Sequence, residues 1–348
     1  MTTAHAHPFD AEALVREVFG AGATIAFSAR LPGGASRETW ALDAATPDGE
    51  RHELILRLDS PGATLDAGSP LAAEATLMRA AHDAGVPVPR IVASAGPYIL
   101  MTRVAGETIP RRILRDEAYA EARPRLAAQC GQALAAIHRM PLSALPQVTA
   151  DPPARAAADP PARAGADEGG GAVVDGLARD DDPLRQWRDL LDLTGEPHPV
   201  FELALRRLAA TRPPGGRRTV VHGDFRNGNL IVGPEGIRAV LDWELAHAGD
   251  PLEDLGWLCV KAWRFGSPLP VGGFGGYDDL VSAYEKASGQ PVDREALRWW
   301  EAFGVLKWGV ICVMQTMRHL RGGAGSVELA AIGRRVCENE WDLLELLG

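Results

Sequence analysis

Residues 219–244 constrain the fold of this chain more than any other stretch. Thr219-Val220-Val221 is β-branched throughout and reads as a strand, and His222 to Asn229 reads as an irregular loop. Leu230-Ile231-Val232, the turn Gly233-Pro234-Glu235-Gly236 and Ile237 to Leu241 read as a hairpin. A hairpin returns the end of its second strand beside the start of its first. Asp242 is thereby expected next to Asn229, 13 residues earlier in the chain, with Asp224 five residues before Asn229.

That set suits phosphoryl transfer. Asp224 can orient and deprotonate an acceptor hydroxyl. The amide oxygen of Asn229 and the carboxylate of Asp242 are hard oxygen ligands of the kind Mg²⁺ favours, able to hold it against nucleotide phosphates. The plainer alternatives are an aspartate that caps its own loop and an asparagine that satisfies loop backbone. His222 reads as a brace for the loop, because no other His or Cys completes a metal site around it. Glu244 can assist the metal through water, contact substrate or merely be exposed. Arg226 can touch the phosphoryl group or the acceptor, or pack the loop. Asp250 and Asp254 are expected to cap the following helix and tie the loop down.

With 348 residues, 46% of them apolar, the chain exceeds one core and predicts two lobes. A net charge of −10 argues against nucleic acid or an anionic membrane as a partner and for a neutral or cationic small molecule. Cys130, Cys259, Cys312 and Cys337 are scattered, with no metal-ligand spacing, and read as buried thiols of a reducing compartment. The start carries no basic-then-apolar leader, and Lys307 breaks the apolar stretch from Ala302 to Met314; the expectation is a soluble, cytoplasmic protein.

Strand signals come first and helix signals later, so the fold class is α+β, with a small antiparallel-sheet lobe and a larger, mainly helical one. A helix over Ala11 to Phe19 precedes a glycine-bearing turn, Gly33-Gly34-Ala35-Ser36. Two strands follow, joined at Pro47-Asp48-Gly49, and in the second Leu54, Leu56 and Leu58 share one face while Ile55 and Arg57 take the other. A helix begins at Pro70 and stops at Gly85; its Glu74 lies beside Leu71 and Met78 and needs a cationic partner. Tyr98 to Val104 reads as a strand, with the lobe boundary between 104 and 105. Helices are expected over 126–138, 183–193, 199–209 and 293–319, the last with its tryptophans Trp299, Trp300 and Trp308 in the core. Asp151-Pro152-Pro153-Ala154-Arg155-Ala156 recurs at 159–164 and precedes a triple glycine, so about 146–182 reads as a disordered insertion. Gly272-Gly273-Phe274-Gly275-Gly276 reads as a flexible loop, a plain connector in preference to a lid over the acceptor site.

These pieces resemble the aminoglycoside phosphotransferase and choline kinase superfamily, of protein-kinase-like fold, from about Ile25 to Trp341. Within it the chain looks most similar to a branch resembling the kinase-like domain of some acyl-CoA dehydrogenases. The resemblance implies an ATP- and Mg²⁺-dependent small-molecule kinase, with GTP as the alternative donor. It makes 1–104 the nucleotide-binding lobe and 105–348 the catalytic and acceptor-binding lobe. It implies that Gly33, Gly34 and Ser36 cover the phosphates, that Arg57 with Glu74 does the work of the family's usual lysine, and that backbone groups from Thr102 to Val104 read the adenine. Arginine at position 57 departs from the usual pattern and keeps open a catalytically weak, pseudokinase-like nucleotide binder. The acceptor is a hydroxyl-bearing small molecule: an aminoglycoside, an amino alcohol, a sugar or a hydroxy acid.

Overall fold

The alternation of Leu54, Leu56 and Leu58 sets the register of the small lobe. In the computed structural model, which describes residues 9–31, 37–59, 70–146, 182–321 and 327–348, all three leucines are buried. The turn with Gly33, Gly34 and Ser36, and all but the ends of the expected 146–182 insertion, lie outside these residues. The strands β1 (Thr24–Arg30), β2 (Arg37–Ala45), β3 (Arg51–Asp59), β4 (Ile91–Ala95) and β5 (Tyr98–Thr102) form one antiparallel sheet in the order β1-β2-β3-β5-β4. Helix α1 (Ala11–Phe19), capped by Asp10, packs Leu14 and Val15 on the leucine face. Helix α2 (Pro70–Asp83) packs Leu71, Ala75 and Met78 with Ile99 and Met101 on the other. A one-residue slip of β3 would expose three leucines, each worth about 1.5–3 kcal/mol buried. That cost holds Arg57 on the α2 side.

The larger lobe begins with α3 (Pro110–Arg115) and α4 (Arg123–Ile137), and resumes with α5 (Pro183–Thr194) and α6 (Pro199–Ala210). Four short strands follow: β6 (Thr219–Val221), β7 (Leu230–Gly233), β8 (Gly236–Val240) and β9 (His247–Gly249). They pair as two antiparallel ribbons, β6 with β9 and β7 with β8. Helices α7 (Leu252–Cys259), α8 (Tyr277–Ser288), α9 (Arg294–Leu320), α10 (Val327–Gly333) and α11 (Val336–Leu347) complete the chain. Among the described residues no helix is long and apolar enough to cross a membrane.

Helix α7 joins the two apolar clusters of this lobe. Leu255 and Leu258 face one, shared with α4 and with Phe225 and Trp243, while Trp257 faces the other, shared with α5, α6 and the aromatic stretch of α9. Trp299 and Trp300 are buried there, as expected.

Four expectations need correction. Strand β5 ends at Thr102, two residues short of Val104: Arg103 still sends its N–H to Glu53 O at 2.9 Å and its guanidinium to Asp43 and Glu53, and the Val104 N–H finds no acceptor among the described residues. The segment from Val271 to Gly275 is a buried turn, not a flexible connector: Val271 pairs with Gly275, and Asn227 Nδ2 donates to Gly272 O at 2.8 Å. Cys337 is exposed, whereas Cys130, Cys259 and Cys312 are buried. Strands β1 and β4 escaped the sequence reading; β1 is a sheet edge whose Phe27 is exposed, so its apolar alternation is weak.

Where α7 crosses α9, Gly256 lets the backbones approach: a Cβ there would lie 2.6 Å from the Trp300 carbonyl carbon. Gly256→Ala is therefore expected to destabilise the protein by about 1–3 kcal/mol, the usual cost of overpacking, read as a lower midpoint in urea.

Candidate active site

The loop after β6 is held from behind by a buried carboxylate. Asp254, in the first turn of α7, accepts the N–H of His222 at 2.8 Å and of Gly223 at 2.9 Å. His138 Nε2 lies 3.1 Å from the same carboxylate and its Nδ1 2.9 Å from the Tyr284 hydroxyl. Burial alone would raise the Asp254 carboxyl, but His138 and His222 and their hydrogen bonds hold it below the usual carboxylate range. Asp250 caps α7 through Leu252 N at 2.9 Å and also accepts from Gly216 N. His222 is fully buried: Asp224 N–H points to its Nδ1 at 3.2 Å, and its Nε2 meets Leu241 O at 3.1 Å. The tautomer with the proton on Nε2 satisfies both bonds, and burial lowers the ring pKa, which favours that neutral form. The expected brace is thus present in its hydrogen bonds.

Asp224 is held by three donors. Trp257 Nε1 reaches its Oδ1 at 2.9 Å, Arg226 Nε reaches the same oxygen at 3.0 Å, and Asn229 Nδ2 reaches Oδ2 at 2.6 Å. Arg226 also stacks 4.7 Å over the Trp263 ring. Asn229 spends its Nδ2 on Asp224, so its Oδ1 meets no hydrogen-bond donor among the described residues. The hairpin closes as its sequence implies, with Leu241 N donating to Asn229 O at 2.8 Å. Asp242 follows at φ 66°, a left-handed backbone that few side chains adopt. No hydrogen bond or ion pair holds its carboxylate among the described residues, and burial together with the Asp224 charge raises its pKa, against the pull of Arg57. Such a pair of oxygens fits Mg²⁺, which keeps waters and shares substrate phosphates. Among the described residues no group of three or more His, Cys, Asp or Glu could hold a metal, so an all-protein cage is not the fitting alternative.

On the small-lobe side, Glu74 is 2% exposed and receives two arginines. Arg57 Nη1 bonds its Oε1, and Arg37 Nη1 bonds its Oε2 at 2.7 Å. The same Arg37 nitrogen lies 3.4 Å from Glu244 Oε2 and thereby links the sheet to the segment after Asp242. The sequence reading called for a cation beside Glu74 and found one of two. Arg37 shares a strand face with Thr39, which pairs with Arg57, so strand parity carried the missing signal. At the end of β5, Thr102 N is spent on Arg90 O and Arg103 N on Glu53 O, while Val104 N–H bonds no acceptor among the described residues. Of these three, Val104 alone keeps a backbone donor for a ligand among the described residues.

Two more missed residues stand behind the loop. Lys307, 4% exposed on α9, donates to Gly223 O at 3.0 Å and to Glu253 Oε1 at 3.2 Å, and its Nζ sits 4.6 Å over the Trp257 ring. The other Glu253 oxygen meets His247 Nε2 at 3.1 Å. A lysine inside an apolar helix was the visible signal, since a buried ammonium requires an acid partner. Burial by itself would raise Glu253, but His247 and Lys307 hold it well below the usual carboxylate range. Its folded pKa is below its unfolded one, so its stabilisation is full above about pH 4.3 and drains away as pH falls further. Urea unfolding of the native chain between about pH 5 and pH 3 is expected to show that loss, and Glu253→Gln a shallower one. Lys307→Met, which strands the buried carboxylate, is expected to cost about 3–5 kcal/mol, with partial recovery in the double variant with Glu253→Gln.

The model of the phosphotransferase enzyme family matches residues 29–300. Acyl-CoA dehydrogenase family member 10 of Mus musculus is 28% identical over 233 residues, 63% of this chain and 19% of that protein, so the chain spans about a fifth of that relative's length. A Ralstonia eutropha protein provisionally named an aminoglycoside phosphotransferase superposes with a TM-score of 0.70 at 20% identity, covering 97% of this chain and 96% of the other. The aminoglycoside phosphotransferase APH(4)-Ia, solved as a ternary complex with AMP-PNP and hygromycin B, superposes with a TM-score of 0.56 at 17% identity, covering 97% of each chain. These superpositions show the two-lobe, kinase-like α+β fold. With its family match running through both lobes, the chain belongs to the phosphotransferase enzyme family.

Proposed function

We propose that this chain is an ATP- and Mg²⁺-dependent phosphotransferase that moves the γ-phosphoryl group to a hydroxyl of a small-molecule acceptor. The observation that carries the reading is the pairing of a fully braced Asp224 with an Asp242 carboxylate that has no hydrogen-bond partner among the described residues. Trp257, Arg226 and Asn229 fix the Asp224 carboxylate in direction. A carboxylate held in that way is suited to orienting a hydroxyl and receiving its proton late, as a loose phosphoryl-transfer transition state requires. Asn229 Oδ1 and Asp242 would hold Mg²⁺, which supplies charge neutralisation across the β- and γ-phosphates. Arg57 with Glu74 positions the triphosphate, Val104 N–H and its neighbours take the adenine, and Gly33, Gly34 and Ser36 remain the proposed phosphate cover. GTP is the alternative donor, and the lobe boundary is drawn between 104 and 105. The APH(4)-Ia neighbour, solved with an ATP analogue, supports the nucleotide half of this reading.

The acceptor side offers donors. Arg226 stacks on Trp263, Trp308 packs 4.8 Å from Trp263, and the buried Nε1 of both indoles meets no acceptor among the described residues. A guanidinium bonded to Asp224 supports an acceptor that carries carbonyl or carboxylate oxygens, such as a hydroxy acid, over a polycationic aminoglycoside. Kinship with an acyl-CoA dehydrogenase family member supports a metabolite in the same way.

A coupled ADP-release screen of the purified chain over aminoglycosides, amino alcohols, sugars and hydroxy acids tests this reading. Turnover is expected with one class, and Asp224→Asn is expected to lower kcat by about 10²–10⁴-fold with little change in KM for ATP. Asp242→Ala is expected to abolish the Mg²⁺ dependence of nucleotide binding along with turnover. ATP binding without turnover on any acceptor would favour the pseudokinase alternative, and phosphate transfer that survives both substitutions would sink the mechanism.

A further inference from the structure

The pairing of β2 with β3 puts Thr39 opposite Arg57 and Arg37 opposite Asp59, so Arg37 and Arg57 are diagonal neighbours on one face of the sheet. Both reach the same buried carboxylate, one to each oxygen of Glu74. One carboxylate cannot neutralise two guanidiniums. The remaining acids near Arg37 are Asp59 at 3.6 Å and Glu244 at 3.4 Å, beyond the usual length of a charge-assisted hydrogen bond. A guanidinium has five N–H donors, and among the described residues neither Arg37 Nη2 nor Arg57 Nη2 has an acceptor within hydrogen-bond distance. Their side chains are 10% and 18% exposed, enough to leave an edge open beside Glu244 and the Asp242 it follows.

We propose that Arg37 is a second phosphate-binding residue of the nucleotide site, and that Arg37 and Arg57, joined through Glu74, together do what one lysine does in the related enzymes. The assignment rests on the phosphotransferase reading above. A lysine presents one ammonium and can both touch a bridging glutamate and donate to a phosphate oxygen. Arg57 directs Nη1 to Glu74 and can offer only its remaining edge, so a second planar fork two residues along β2 completes the set of donors that phosphate oxygens require.

The test separates a phosphate contact from a brace for Glu74. Binding of adenosine, AMP, ADP and ATP, the last two with Mg²⁺, is measured by calorimetry on the full chain and on Arg37→Gln and Arg37→Lys. A phosphate contact lowers ADP and ATP affinity by about tenfold or more in Arg37→Gln while adenosine and AMP bind as before, with Arg37→Lys between the two. A mere brace weakens all four ligands together or none of them, and either pattern overturns the proposal. Should Arg37→Gln fail to fold, Arg37→Lys keeps the charge and carries the same comparison. Native protein that binds ATP no more tightly than adenosine would overturn the nucleotide reading itself, and this one with it.

Discussion

Two backbone N–H groups on one buried carboxylate hold the loop after β6 in place. His222 and Gly223 leave β6 with no strand partner for their amides, and Asp254 takes both while His138 and Tyr284 complete its surroundings. A charged group at 0% exposure is tolerable because every oxygen is engaged, and the same engagement makes the loop geometry stiff. The positions of Asp224, Asn229 and Asp242 all follow from it. The chain turns at Gly223, with φ 81°, and His222 then bonds Leu241 O just before Asp242. Helix α7 is thus both the anchor of the loop and, through Trp257, a direct donor to Asp224.

The electrostatics divide into two kinds of charge. Behind the loop, Lys307, Glu253 and His247 form a buried set whose members face one another. In front of it, Asp224 and Asp242 repel each other, and Arg37 and Arg57 share Glu74. Closed sets serve stability, whereas carboxylates that repel each other are ones that a cation can balance.

The hairpin of β7 and β8 was legible in the chain because its signals are local. Thr219 to Val221, the two strands of the hairpin and its glycine turn act within about two dozen residues, and their β pairing brings Asp242 back to Asn229 without help from the rest of the molecule. The burial of Leu54, Leu56 and Leu58 likewise fixed which face Arg57 takes, and the match to Glu74 followed from a carboxylate on an apolar stripe. Strand β1 and the turn from Val271 to Gly275 were harder to read. The first is an edge with little apolar alternation, and the second is buried because Val271 and Phe274 join the apolar cluster of α4 and Asn227 meets Gly272 across 45 residues.

From sequence alone come the identities of the groups: an Asp, Asn and Asp at spacings that a hairpin converts into one cluster, an arginine where a lysine is usual, and a split into a sheet lobe and a helical lobe. Only the tertiary structure decided who stands beside them. Trp257, Lys307, His138 and Arg37 lie 33, 83, 86 and 187 residues from Asp224, and nothing in local propensity or periodicity couples positions so far apart. Their meeting depends on how helices and sheet pack around shared apolar clusters, and buried polar groups then choose partners from whatever that packing brings within hydrogen-bond reach.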